Sequence, residues 1–226
     1  MQPRYCLPII KSRQEDVLED MDNNLAGYSY FEVWLDYIFR CDEAFVTRLA
    51  KLLGDKLILV FRRQNLDAIV MGLDTRLKIL DVLHDTNVLV DLDITSQLEE
   101  LEHIKKQGLK IKTIVSYHDY QQTTDSLQLE TIIDTMDQYQ PVIYKVATMC
   151  NNREDSLRLL QLLLKLKVRD RTAIIIGMGE PGTITRVFGA LWGNEMTFAP
   201  LTAAEQSAPG QLTKAQMENI FKELEV

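Results

Sequence analysis

Lys145 lies inside the apolar run Val142-Ile143-Tyr144-Lys145-Val146-Ala147. Burying an ammonium there disfavours its charged form, and a neutral amine attacks carbonyl carbons to form a Schiff base. The same position also suits a lysine that snorkels from a strand edge or pairs with a carboxylate, and the spacing alone does not choose. His118 ends the preceding apolar run, where one sheet spacing of about 4.8 Å would set it beside the lysine. A histidine there moves protons at neutral pH, which is what the carbon next to an imine requires. The other two histidines, His84 and His103, fall in helical patterns and read as surface or packing residues.

Further polar residues close other apolar runs: Glu32, Trp34 and Asp36; Arg62 and Arg63; Asp91 and Asp93. Strand alternation puts Glu32, Trp34 and Asp36 on one face. Gly177-Met178-Gly179-Glu180-Pro181-Gly182 has the GxGxxG spacing after a strand and before a helix. A dinucleotide site would also need an acidic residue closing the next strand, and Glu195 opens that strand instead. The favoured reading is a tight loop whose amides face an anion, with no cofactor and no metal. Ser207-Ala208-Pro209-Gly210-Gln211 is small enough to bend over a site, with Ser207 and Gln211 as hydrogen-bonding groups.

The elements that must position these groups alternate. Eight short apolar runs (5–10, 30–37, 56–62, 87–93, 111–118, 141–148, 172–178 and 196–200) are separated by segments with helical spacing. Several runs are nearly continuous in Ile, Val and Leu, as strands buried on both faces are. Helices are expected over 14–25, 43–53, 67–83, 96–107, 125–139, 154–167, after Pro181, and over 214–224, with Thr95 and Thr213 as caps. Eight β-then-α units predict a (β/α)8 TIM barrel over 1–226 as a single domain. An open doubly wound sheet is the rival. In the barrel the run ends converge on one mouth, so chemistry belongs there.

Composition limits the partners. The 226 residues hold 33 Asp+Glu against 25 Lys+Arg, a net charge of −8, which argues against binding a nucleic-acid backbone. No stretch reaches the roughly 18 apolar residues of a membrane span. Cys6, Cys41 and Cys150 are far apart and odd in number, so neither a zinc ribbon nor a disulfide framework is indicated and a cytoplasmic setting is expected. A small anionic ligand would need local compensation of the net charge, from Arg62, Arg63 and Arg186.

In order along nearly the whole chain, SYHDY (116–120), YKVAT (144–148), GMGEPGTITR (177–186), MTFAP (196–200) and SAPGQ (207–211) resemble the type I 3-dehydroquinate dehydratase family. FEVWLD (31–36) and LVFRR (59–63) fit its second and third strands. The resemblance implies a homodimeric (β/α)8 lyase that converts 3-dehydroquinate to 3-dehydroshikimate in the shikimate pathway, without metal or cofactor. It implies that Lys145 forms the imine and His118 is the acid and base. Arg186 would clamp the substrate carboxylate, Ser207 and Gln211 would close over it, Glu32 and Arg62 would hold ring hydroxyls, and Asp91 fills the acidic position of strand 4.

Two departures stand out. The family has Glu-x-Arg on strand 2, whereas Trp34 follows Glu32 here. Leu66-Asp67-Ala68 occupies the stretch where Glu-Gly-Gly belongs. Arg63, or a stacked Trp34, is expected to replace part of the lost contacts. An aldolase that binds a phosphate through the glycine loop, and a degenerate non-catalytic barrel, are the alternatives.

Overall fold

Period-two alternation gives each strand one face toward a barrel lumen and one toward surrounding helices. The computed structural model describes residues 3–224 and realises that arrangement. The strands are β1 (Tyr5–Ile9), β2 (Tyr30–Trp34), β3 (Leu57–Val60), β4 (Leu89–Asp93), β5 (Lys112–Asp119), β6 (Ile143–Met149), β7 (Ala173–Met178) and β8 (Thr197–Phe198). Helices α1 (Gln14–Asn24), α2 (Glu43–Leu53), α3 (Leu73–Val82), α4 (Leu98–Gln107), α5 (Ser126–Asp137), α6 (Arg153–Val168), α7 (Gly179–Trp192) and α8 (Lys214–Glu223) alternate with them. All the strand pairs are parallel, in the order β7-β6-β5-β4-β3-β2-β1-β8, which makes a nearly closed (β/α)8 TIM barrel.

Closure between β7 and β8 relies on one side chain. These strands share no ladder among the described residues. Asn194 takes the place of a strand residue: its Oδ1 accepts from Ile175 N at 2.8 Å and its Nδ2 donates to Ile175 O at 3.0 Å. Glu195 N adds a bond to Ala173 O at 2.9 Å. Buried strand groups at the seam are thereby satisfied without a long eighth strand.

Two apolar layers form the core. Cys6, Ile58, Ile114, Ile143, Ile174 and Phe198 fill the lumen, while Leu57, Leu59, Val115, Val146 and Ile175 face the helices. Moving up the lumen, the inward residues change character: Ile58 gives way to Arg62, Leu89 to Asp91 and Asp93, Ile114 to Ser116 and His118, and Ile143 to Lys145. The lower barrel is a packed hydrocarbon plug, and the upper barrel is a polar chamber standing on it.

Several expected boundaries move, each for a local reason. The second apolar run stops as a strand at Trp34 and turns through a 3-10 segment, Leu35–Tyr37. The helix expected over 67–83 begins only at Leu73, because Asp36 accepts from Val70 N and Met71 N and holds that backbone out of a helix. Val70, within that span, is exposed. Thr95 does not cap α4; Gln97 is its first flanking residue, and Asp93 binds the Thr95 and Ser96 amides instead. Thr213 does cap α8, in a reciprocal box with Gln216.

The glycine motif is also not a loop. α7 starts at Gly179, directly after β7, with Pro181 in its first turn. A Cβ on Gly182 would lie 2.4 Å from the Gly177 carbonyl carbon. The two outer glycines of the motif therefore allow helix and strand to touch, which replaces the expected anion-facing loop.

Candidate active site

Lys145 Nζ sits in the chamber 2.6 Å from Asp91 Oδ2 and 3.2 Å from Glu32 Oε1, with the Phe198 ring centroid 4.3 Å away. The apolar run therefore delivers the amine to a pair of carboxylates, not to hydrocarbon alone. Asp91 is shared: Arg62 grips it with two bonds (2.8 and 3.2 Å), and Ser116 Oγ donates to it at 2.6 Å. Burial opposes ionisation of Asp91, but Arg62 and Lys145 together hold its carboxyl well below the usual carboxylate range.

His118 does not lie directly across from Lys145. The residue paired with Lys145 is Ser116, and His118 pairs with Ala147, two positions nearer the mouth. Along a strand that is a rise of roughly 6.6 Å. His118 thus stands nearer the mouth than the lysine, level with the small Ala147. Its Nδ1 lies 2.8 Å from Asp93 Oδ2. Burial would raise Asp93, but the His118 bond, the Thr95 hydroxyl and the nearby Arg62 charge bring it down to about 2. An ionised partner must accept, so Nδ1 carries the proton and Nε2 holds the lone pair. Burial and the nearby Arg62 charge lower the His118 pKa, keeping the ring neutral and basic near pH 7.

Arg186 reaches the same cavity from α7. Its Nη2 donates to Pro209 O at 3.3 Å, and its Nε has no partner among the described residues. No carboxylate pairs with it there, and burial pushes it down to about 10. The Arg62 Nε is likewise unpartnered. Two buried guanidinium N–H groups left open in one chamber are an anion and hydroxyl site in waiting. Ser207 and Gln211 line the roof and bond each other: Ser207 N to Gln211 Oε1 at 2.7 Å, and Gln211 Nε2 to Ser207 Oγ at 2.8 Å.

A model of the family described as type I 3-dehydroquinase matches residues 5–226. The chain belongs to that family. The 3-dehydroquinate dehydratase of Alkaliphilus oremlandii is 31% identical over 97% of this chain and 91% of its own. That of Methanothermobacter thermautotrophicus is 30% identical over 94% and 93%. The crystal structure of the Geobacillus kaustophilus 3-dehydroquinate dehydratase superposes with a TM-score of 0.83 at 22% identity, covering all of this chain and 92% of the other, a likeness of fold.

Against the 3-dehydroquinase pattern, most of the expected side chains meet. Lys145, His118, Glu32, Trp34, Arg62, Arg186, Ser207 and Gln211 line one cavity, and Asp91 lies beneath them. Arg63 does not join them. Beyond the end of β3 it points outward to Asp36 Oδ2 at 3.0 Å and over the Tyr37 ring at 4.1 Å. Asp36 does not join either, since the strand ends before it. Compensation for the net charge therefore falls to Arg62 and Arg186. Trp34, which stands where the resemblance implies an arginine, donates from Nε1 to Glu32 Oε2 at 2.8 Å.

Sequence reasoning gave no role to Asp93, Ser116, Tyr120 or Gln64. Asp93 was legible, since Asp-x-Asp at a strand end sends both carboxylates inward. Ser116 follows from the same parity, two residues before His118. Tyr120 lines the cavity with its ring stacked near His118, centroids 6.5 Å apart, and nothing in the spacing announced it.

Proposed function

We propose that the chain dehydrates 3-dehydroquinate to 3-dehydroshikimate through an imine on Lys145. The observation that carries the reading is that one cavity is lined by the buried Lys145 amine and by His118, whose Nδ1 is held by Asp93.

Lys145 Nζ attacks the substrate ketone, and the carbonyl oxygen leaves as water, giving a protonated imine. That cation withdraws electrons from the adjacent carbon, and His118 Nε2 removes a proton there to give an enamine. The enamine expels the β-hydroxyl, which takes the proton back from His118 and departs as a second water. Water then adds to the conjugated imine, releasing the enone and the free lysine. His118 also relays protons as the imine forms and is hydrolysed. Asp91 and Glu32 fix the amine's position throughout, and Asp93 balances the imidazolium.

Arg186 takes the substrate carboxylate, and the open Arg62 Nε takes a ring hydroxyl. Ser207 and Gln211 close over the ligand. The chemistry needs no cofactor. An aldolase-type reading loses its anchor, because the glycines proposed to bind phosphate pack strand against helix.

A homodimer fits the apolar row left exposed on neighbouring helices, Leu157, Leu164 and Val168 on α6 with Ile184 and Trp192 on α7. Light scattering on the purified chain tests it. Three buried free thiols suit the cytoplasm, and among the described residues no helix is long and apolar enough to cross a membrane.

The test is incubation with 3-dehydroquinate, following the absorbance of the conjugated product. Borohydride added during turnover should fix a ligand on Lys145, located by peptide mass spectrometry. No turnover at millimolar substrate would return the degenerate-barrel alternative, and labelling of another lysine would reject the imine assignment.

A further inference from the structure

A substrate ketone must reach Lys145 Nζ, yet Ser207, Ala208 and Gln211 of the segment after β8 line the cavity that holds it. Ser207 and Lys145 are both nearly fully buried, so the segment joining β8 to α8 covers the amine. Entry and exit of any ring substrate require this segment to lift. What holds it down is therefore part of the site.

Its moorings are unequal. The late part is docked on α7: Gly179 N and Arg186 Nη2 both donate to Pro209 O at 3.3 Å, and Thr183 Oγ1 donates to Gly210 O at 3.4 Å. The early part has one ion pair, Lys11 to Glu205 at 3.3 Å, half open to solvent and weakened by salt. The middle is held across the mouth by a residue of the loop after β3. Gln64 Nε2 donates to Gln206 O at 3.3 Å and to Ser207 O at 3.2 Å.

Gln64 is itself placed firmly. Its backbone N–H donates to the Tyr37 hydroxyl at 3.2 Å, and that hydroxyl faces Gln64 Oε1 at 3.5 Å. Arg63 stacks on the Tyr37 ring and is held by Asp36. Asn65 and Leu66 then adopt left-handed φ of 55° and 57°, turning the chain away so that only the Gln64 side chain crosses. The outward Arg63 and the buried Asp36, both outside the chamber, thereby acquire a role in aiming this side chain.

We propose that Gln64 is a positioning residue, a latch that holds the β8–α8 segment over the reacting centre and releases it at each turnover. The kinetic part of this proposal rests on the dehydratase reading; the structural part does not. Neutral amide-to-carbonyl bonds suit a reversible latch, since each contributes only a few-fold to an equilibrium. A salt bridge buried at the same place would cost far more to open.

The test uses Gln64→Met, which keeps the side chain's length and removes its donor, beside Gln64→Ala. Hydrogen–deuterium exchange read by mass spectrometry should show amides of 201–208 exchanging roughly three- to tenfold faster in both variants, with β3, β6 and α7 unchanged. With 3-dehydroquinate, KM should rise by a similar factor while kcat changes less than about twofold. Unchanged exchange over 201–208 overturns the latch. Faster exchange with unchanged KM leaves a loop contact without a positioning role and also overturns it. If the unaltered chain does not turn over 3-dehydroquinate, the exchange result still decides the latch, and only the dehydratase reading falls.

Discussion

Trp34 Nε1 donates to one oxygen of Glu32 at 2.8 Å while the other oxygen faces Lys145 Nζ at 3.2 Å, so a single carboxylate is stretched between an indole and the central amine. The Arg62 guanidinium carbon stands 5.5 Å from the same indole. Trp34 thus fixes Glu32 with its indole N–H and stands as a wall of the cavity.

Replacing Trp34 by Phe keeps most of the wall and removes the N–H. KM for 3-dehydroquinate should rise about three- to tenfold, the scale of one lost hydrogen bond, with a smaller change in kcat. Steady-state kinetics decide it. A larger fall in kcat than rise in KM would mean that Glu32's orientation toward Lys145 matters more for the chemical step than for binding.

His118→Ala should lower kcat by roughly two to four orders of magnitude, since a positioned acid and base is lost. Imine formation can continue slowly, so intact-mass measurement should show more lysine-bound ligand at steady state than the unaltered chain does. Near-normal turnover would remove His118 from the mechanism.

Arg186 separates function from stability. Its charge is buried without a carboxylate partner among the described residues, so the fold does not gain from it. Arg186→Met should raise KM by roughly ten- to a hundredfold, as loss of a charge-assisted carboxylate contact does, while Tm stays level or rises. A Tm several degrees lower would show that the guanidinium holds the roof through Pro209 more than it awaits an anion.

The pH response follows from two opposite-signed groups. His118 acts as a neutral base and burial lowers its pKa, so the acid limb of kcat/KM should lie below the ordinary histidine value of about 6.5. The same depression means that the unfolded chain takes up a proton first, so stability begins to decline as pH falls below about 6.5. Asp93 sits at about 2 when folded; its contribution is complete above about pH 4 and is lost as pH falls toward 2. Urea midpoints measured from pH 8 to 2 should therefore fall in two stages. An acid limb above 6.5 would show that the Asp93 bond outweighs burial at the imidazole.

How much was written in the chain shows at particular residues. Ala173–Met178 came out within one residue of its apolar run, because strands buried on both faces are nearly continuous in apolar residues such as Ile174, Ile175 and Ile176. Lys145 and His118 were legible for the complementary reason: an ionisable residue in such a run faces burial and needs a purpose. The 67–83 segment misled because helical spacing is a local signal, whereas Asp36, some thirty residues upstream, claims the amides of Val70 and Met71. Composition and spacing alone thus pointed to eight buried strands and to the run ends where charge collects, and favoured a barrel over an open sheet, since burial and alternation are properties of neighbours in sequence. Only the tertiary structure decided that His118 stands two positions nearer the mouth than the partner of Lys145, that Arg63 faces away, and that Gln64 reaches across to the roof. Those outcomes depend on strand register and on side chains far apart in sequence competing for the same partners, and neither is encoded in any local stretch of the chain.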